Sequence, residues 1–192
     1  MVSAEATTSD ASDTTLAAVS RGVGPTVVAV HGFAQTRDCL GPLGDALGGR
    51  FHLVAPDAPG HGGSLRHAEA GLAEGADLLV HTGGHAAYVG YSMGGRLCVQ
   101  AALDHPDRVT ALVLIGATAG IDDETERAAR QRADAALADR LEAIGLEAFL
   151  TEWLALEMFT GLPDWARFEQ ERRTNTAEGL ATSLRRAGTG SM

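Results

Sequence analysis

The residues of this 192-residue chain best suited to chemistry lie between Ala86 and Arg96, in the run AAYVGYSMGGR. A serine, Ser92, stands between glycines two places before and two places after it, Gly90 and Gly94. A short apolar run, Ala87 to Gly90, precedes it and a helix-forming stretch begins near Gly95. A serine hydroxyl is a poor nucleophile or base unless it is thrust clear of the backbone, and a tight strand-to-helix turn does that. Glycine is needed on both sides, because a Cβ there would strike the neighbouring strand or helix. The helix that follows would aim its first amides at the reaction centre. The Met93 N–H is therefore a candidate to stabilise developing negative charge.

The elements that must position Ser92 can be read in order. Thr26 to Val30 (TVVAV) is a β-branched run of the kind buried in a parallel sheet. It ends in His31-Gly32-Phe33, where His31 reads as a structural histidine that shapes the loop. Residues 39–48 carry weak helical periodicity, and Phe51 to Ala55 is a second buried strand. The following Pro56 to Ser64 is a rigid loop rather than a phosphate cradle, since its prolines lack the N–H groups a cradle needs. Residues 68–82 predict a helix leading into the elbow strand, and Val109 to Ile115 (VTALVLI) reads as the fourth buried strand. Strands alternating with helices predict an α/β fold with a doubly wound, mostly parallel sheet.

From Asp122 the character changes. Residues 122–187 show no strand pattern, and the first helix there gathers Ala129, Ala133, Ala136, Leu137 and Ile144 on one side, with Arg127, Arg130 and Asp134 on another. Such a helical insertion predicts a lid over Ser92. The expected organisation is a flexible lead-in over 1–24, a core over 25–121, the lid over 122–187 and a linker-like end over 188–192.

Composition limits the partners. Net charge is −10 (15 basic against 25 acidic residues), which argues against nucleic acid or an anionic membrane as a partner. All the basic residues are Arg, a compositional bias that by itself assigns no function. No apolar run approaches the roughly 18 residues of a membrane span, and the N-terminus lacks the pattern of a signal peptide, so a cytoplasmic protein is expected. Cys39 and Cys98 are expected as free thiols, with nothing at metal-ligand spacing around them. No metal or cofactor is expected, and oligomeric state is not readable.

The motifs HGF, PDAPGHGGS and VGYSMGGR together resemble the α/β-hydrolase superfamily. More narrowly, PGHGGS, GYSMGGR, ERAARQRAD and a later Trp are similar to the 2-succinyl-6-hydroxy-2,4-cyclohexadiene-1-carboxylate synthase family, over about Val27 to Arg186. That resemblance implies a lyase that eliminates pyruvate from 2-succinyl-5-enolpyruvyl-6-hydroxy-3-cyclohexene-1-carboxylate in menaquinone biosynthesis, a small-molecule carboxylate substrate. It makes Ser92 the catalytic serine and the amides of Phe33 and Met93 the oxyanion hole. Tyr91, Arg96, Arg130, Trp153 and Arg173 fall on substrate-contacting positions. Arg96 has independent support: it lies one helical turn beyond Ser92, and a guanidinium is well suited to bidentate carboxylate capture. A carboxylic-ester or carbon–carbon bond hydrolase, with Ser92 attacking a carbonyl, is the alternative on the same elbow, and a non-catalytic binding domain is a third.

One feature departs from the family pattern. The triad runs Ser, then Asp or Glu, then His, yet the only histidine after Ser92 is His105, roughly 20 Å along the same helix at 1.5 Å per residue. The other six histidines precede the elbow. The chain is therefore expected to be a truncated form, without the last strands and helices or the triad Asp and His, and inactive alone. Val109 to Ile115 would then become a sheet edge.

Overall fold

The computed structural model describes residues 6–47 and 49–192. Six strands form one sheet: β1 (Thr7–Ser9), β2 (Ala18–Arg21), β3 (Thr26–Val30), β4 (His52–Pro56), β5 (Ala86–Tyr91) and β6 (Val109–Ile115), in the spatial order β1-β2-β4-β3-β5-β6. The four strands β4, β3, β5 and β6 are parallel, and β2 and β1 extend the sheet antiparallel beyond β4. The chain winds from β3 outward to β4, then returns past β3 to β5. This reversal leaves a crevice at the carboxyl ends of β3 and β5, where doubly wound sheets bind their ligands.

Alternation in β3 supplies both faces of the core. Val28 and Val30 pack with Tyr88 beneath α2 (Leu72–Gly83) and α3 (Met93–Asp104), through Leu72, Ala76, Leu79, Leu97 and Cys98. Val27 and Ala29 face the other way with Leu53, toward Leu43 and Leu47 of α1 (Gly41–Leu47). The helix before the elbow strand is shorter than expected. A 3-10 segment, Gly62–His67, occupies the approach, and α2 starts at Leu72, where Glu74 accepts the Gly71 amide at 2.9 Å.

The lead-in is not featureless. β1 and β2 build the antiparallel edge, with Val19 opposite Ala55 and Ser20 opposite Val54. Both are short, and β1 is exposed at all three positions, so no apolar alternation marked it. Residues 1–5 of that lead-in lie outside the described residues.

β6 reads as a buried strand by composition, yet six of its seven residues are exposed. It pairs with β5 alone and forms the sheet edge. Leu112, Val113, Leu114 and Ile115 are all at least 37% exposed.

The region after β6 is helical, as expected: α4 (Glu124–Leu154), α5 (Glu169–Arg172) and α6 (Ala177–Ala187). α4 is two arms. Gly145 (φ 78°, ψ 167°) breaks the helix, and Arg140 and Glu152 pair across the break at 2.6 Å. Of the predicted apolar face, Leu137 and Ile144 pack against the core and the alanines do not. Asp134, Ala138 and Leu141 are buried, whereas Ala129, Ala133 and Ala136 are exposed. A carboxylate at the centre of the true inward face displaced the apolar pattern. The terminal GTGSM is not a free linker either: Thr189–Ser191 forms a 3-10 turn against α4, with Gln131 Nε2 donating to the Gly190 carbonyl at 2.8 Å.

An open edge of seven residues without charge or proline pairs readily with other chains. Residues 1–192 are expected to self-associate in sedimentation velocity. Val113→Lys, placing a charge on that edge, should raise the monomer fraction severalfold while the melting temperature falls by only a few degrees. A wild-type chain sedimenting as a monomer would remove the edge-pairing expectation.

Candidate active site

Ser92 sits between β5 and α3 with φ 52° and ψ −114°, a conformation L-residues rarely adopt. The elbow is tight because its glycines touch backbone. A Cβ on Gly90 would collide with Gly95 Cα and the Gly94 carbonyl, and one on Gly94 with the carbonyls of Val30 and His31. The Ser92 amide donates to the Ile115 carbonyl at 2.9 Å, and the Ser92 carbonyl accepts from Gly95 at 3.0 Å. The helix begins at Met93 rather than near Gly95, which places the Met93 amide at the positive end of α3 beside the serine.

The loop after β3 brings up Phe33. Ala34 has φ 57°, so the chain turns sharply there. Two buried histidines hold the turn. His31 Nδ1 bonds the Gly32 carbonyl at 2.8 Å while Nε2 accepts the Ala58 amide at 3.0 Å. His61 Nδ1 bonds the Pro59 carbonyl at 3.0 Å and Nε2 accepts the Ala34 amide at 3.3 Å. Each ring therefore carries its proton on Nδ1 and is neutral. Burial lowers the His31 pKa to about 4 and that of His61, with the nearby His31, to about 3. His31 is a structural group, as its place in the loop suggested.

Ser92, Phe33 and Met93 line one cavity of about 310 Å³ together with Tyr91, Arg96, Arg130 and Trp153. One wall is aromatic. Trp153 stacks on Phe149 (5.9 Å, 15°) and meets the Phe33 ring edge-on (5.3 Å, 82°). Cations line the cavity as well. Arg96 is buried, and desolvation lowers its pKa to about 10, against the field of Asp134, so it remains charged at neutral pH. Its Nη1 is buried and has no hydrogen-bond partner. Arg130 Nε is held by Asp134 Oδ1 at 2.7 Å.

The third cation is Arg172, not Arg173. Arg173 is half exposed, pairs with Glu147 (2.8 Å) and Glu169 (3.4 Å), and does not line this cavity. Arg172 lines it, is 2% exposed, and donates from Nη1 to the Ala34 carbonyl at 2.9 Å. Burial lowers its pKa as well. Adjacent residues at the end of a short helix point about 100° apart, and the run Glu171-Arg172-Arg173-Thr174 gives no amphipathic signal to choose between them. Asp134 was legible only as a polar residue on the helix face that carries Arg130. Its burial was not.

No histidine lines the cavity among the described residues. His105 caps the far end of α3 and bonds Asp77 Oδ1 at 2.6 Å.

The family model of the alpha/beta hydrolase fold matches residues 25–144, more than half of the chain and the whole span from β3 through the elbow to the first arm of α4. The chain belongs to the alpha/beta hydrolase family. Within that family it is 35% identical over 181 residues to a Bacillus subtilis protein provisionally named 2-succinyl-6-hydroxy-2,4-cyclohexadiene-1-carboxylate synthase, covering 86% of this chain and 65% of the relative. An Escherichia coli protein named as that synthase is 32% identical over 169 residues, covering 83% of this chain and 66% of the relative. This alpha/beta hydrolase chain thus spans just under two thirds of the length of the curated relatives it matches. Among solved structures, MenH from S. aureus superposes with a TM-score of 0.74 at 24% identity, over 100% of this chain and 73% of the other, a likeness of fold.

The neutral histidines generate a pH dependence whose sign is fixed. Their folded pKa values lie below the unfolded value of about 6.5, so above that pH they contribute no proton difference. As pH falls below it, the unfolded chain binds protons that the folded chain refuses until about pH 4 for His31 and about pH 3 for His61. Stability should fall from about pH 6.5 toward pH 4, approaching roughly 1.4 kcal/mol per pH unit for each histidine. Urea melts at pH 7 and pH 5 read this directly. A midpoint unchanged over that interval would mean that neither ring is held neutral.

Proposed function

We propose that this chain forms the serine and carboxylate-binding part of a lyase that eliminates pyruvate from 2-succinyl-5-enolpyruvyl-6-hydroxy-3-cyclohexene-1-carboxylate, giving the cyclohexadiene for which its relatives are named. The carrying observation is the cation set beside the serine: Arg96, Arg130 and Arg172 converge on one cavity, and Arg96 Nη1 has no protein partner there. An unpartnered guanidinium N–H in a buried site is costly unless an anionic ligand accepts it. Asp134 offsets one of the three positive charges, and the remaining excess suits a substrate with several carboxylates. An ester substrate would need no such set.

In this reading Ser92 takes a proton from the ring carbon as base. The electron pair of that C–H bond forms one new ring double bond, the existing ring double bond shifts by one position, and the C–O bond to the enolpyruvyl group breaks. The departing enolpyruvate takes up a proton to become pyruvate. Negative charge that develops on the substrate faces the amides of Met93 and Phe33. The arginines supply orientation, and Trp153 with Phe33 an apolar wall that excludes water from the ring. Ser92 must itself be relieved of its proton, and among the described residues no histidine lines the cavity to do so. We therefore assign turnover to the protein that carries this chain, and binding to residues 1–192 themselves.

Pyruvate release by that protein, followed with lactate dehydrogenase, is expected to depend on Ser92, with Ser92→Ala lowering kcat by orders of magnitude. Residues 1–192 alone should bind the substrate and release no pyruvate. Rapid hydrolysis of aryl esters without pyruvate release would favour a hydrolase instead, and turnover by residues 1–192 would place a base within them.

The arginines separate by calorimetry of substrate binding. Arg96→Ala should weaken binding by about 2 to 5 kcal/mol, the range for removing one partner of a desolvated charge pair. Arg96→Lys should recover only part, lacking the planar fork. Arg173→Ala should cost less than about 1 kcal/mol, as for an exposed ion pair. Equal losses for Arg96→Ala and Arg173→Ala would contradict the placement of the site.

A further inference from the structure

Asn175 is 4% exposed and joins three segments that are far apart in sequence. Its Oδ1 accepts the Gly62 amide at 3.0 Å, across 113 residues. That bond fixes the orientation of the side chain, because a backbone amide can only donate. Nδ2 then faces two carbonyls, that of Arg172 at 2.9 Å and that of Gln35 at 3.4 Å. The Arg172 guanidinium bonds the carbonyl of Ala34, next to Gln35. The lid turn 172–175 is thus bonded twice to the loop that presents the Phe33 amide, and Asn175 also anchors that turn to the rigid loop around Gly62. Cation, turn and oxyanion loop form one connected unit.

We propose that Asn175 is a positioning residue: its carboxamide holds the Arg172 turn of the lid against residues 34–35, so that the Phe33 amide is correctly aimed only while the lid is seated. The proposal rests on Phe33 belonging to the site described above, but not on the identity of the substrate. A group misplaced by about 1 Å in such a site can lower the rate by two orders of magnitude, so a side chain that touches no substrate can set kcat.

The test is amide hydrogen exchange, by NMR, of residues 1–192 and the variant Asn175→Asp. The variant keeps the acceptor for Gly62 and loses both donors. The Ala34 and Gln35 amides should exchange faster by about tenfold or more, the consequence of losing roughly 1.4 kcal/mol of local hydrogen bonding. The Gly62 amide and those of β3 and β5 should be unchanged. In the protein that turns over, kcat should fall by about tenfold or more with KM within about threefold. If the Asp variant does not fold, Asn175→Ser provides the same local readout at Ala34 and Gln35. Unchanged exchange at those two amides would overturn the proposal. So would acceleration spread evenly through β3, β5 and α2, which would make Asn175 a general stabiliser of the fold. Failure to find pyruvate release would bear on the substrate and leave these amide measurements standing.

Discussion

The turn at Ser92 is the constraint on which the site depends. A non-glycine residue at φ 52° is disfavoured by about 1 to 3 kcal/mol, and the turn persists because everything around it leaves no alternative. The strand β5 is fixed by parallel pairing on both sides. The helix α3 is fixed by its packing on α2. Between them Gly90 and Gly94 bring backbone against backbone, and any side chain there would push α3 off the sheet. Ser92 and Met93 line the same cavity.

Electrostatics of that cavity follow from what surrounds the cations. Burying a guanidinium without a partner is costly, and the three arginines are treated differently. Arg130 has Asp134, Arg172 spends one N–H on the Ala34 carbonyl, and Arg96 leaves Nη1 without a partner. The structure therefore carries an excess of positive charge in a cavity that aromatic rings also line. Asp134 also accepts the Gly190 amide at 3.3 Å, so the carboxylate that restrains Arg130 fastens the turn at 189–191 to α4.

Much of this was readable in the sequence, for identifiable reasons. The elbow, the β3 and β5 strands and the helical region after β6 follow from local signals: a GxSxG spacing, β-branched runs and the loss of strand pattern after Asp122. The family match and the superposition support the fold that those signals implied. What escaped depended on tertiary burial. β1 and β2 are too short to announce themselves, and β1 is exposed throughout. Arg172 and Arg173 are chemically identical neighbours, and only packing shows which one turns inward. The burial of Asn175 and Asp134 carries no local signal, because each accepts a backbone amide brought in from a distant segment.

How the lid is held bears on how the site works. Its surface ion pairs are numerous: Arg140 with Glu152, Arg173 with Glu147, Arg185 with Asp139 and Glu142, and Arg186 with Glu69. All have substantial exposure, and pairs of this kind contribute about 0 to 1 kcal/mol each and weaken with salt. The buried attachments are fewer and stronger. Phe149, Leu150, Leu180 and Leu184 form a core with Ala34, and Phe33 packs against it. At roughly 25 cal/mol for each Å² of apolar surface, one buried leucine outweighs an exposed ion pair. Phe33 therefore has two roles that cannot be separated: its ring is a contact point of the lid core, and its amide belongs to the proposed oxyanion hole. A lid displaced from that ring would free the loop carrying the amide, and a loop displaced from the lid would lose Arg172 from the cavity. Arg172 and Phe33 are on different elements of this fold, and the shared core together with the Arg172–Ala34 bond couples their positions.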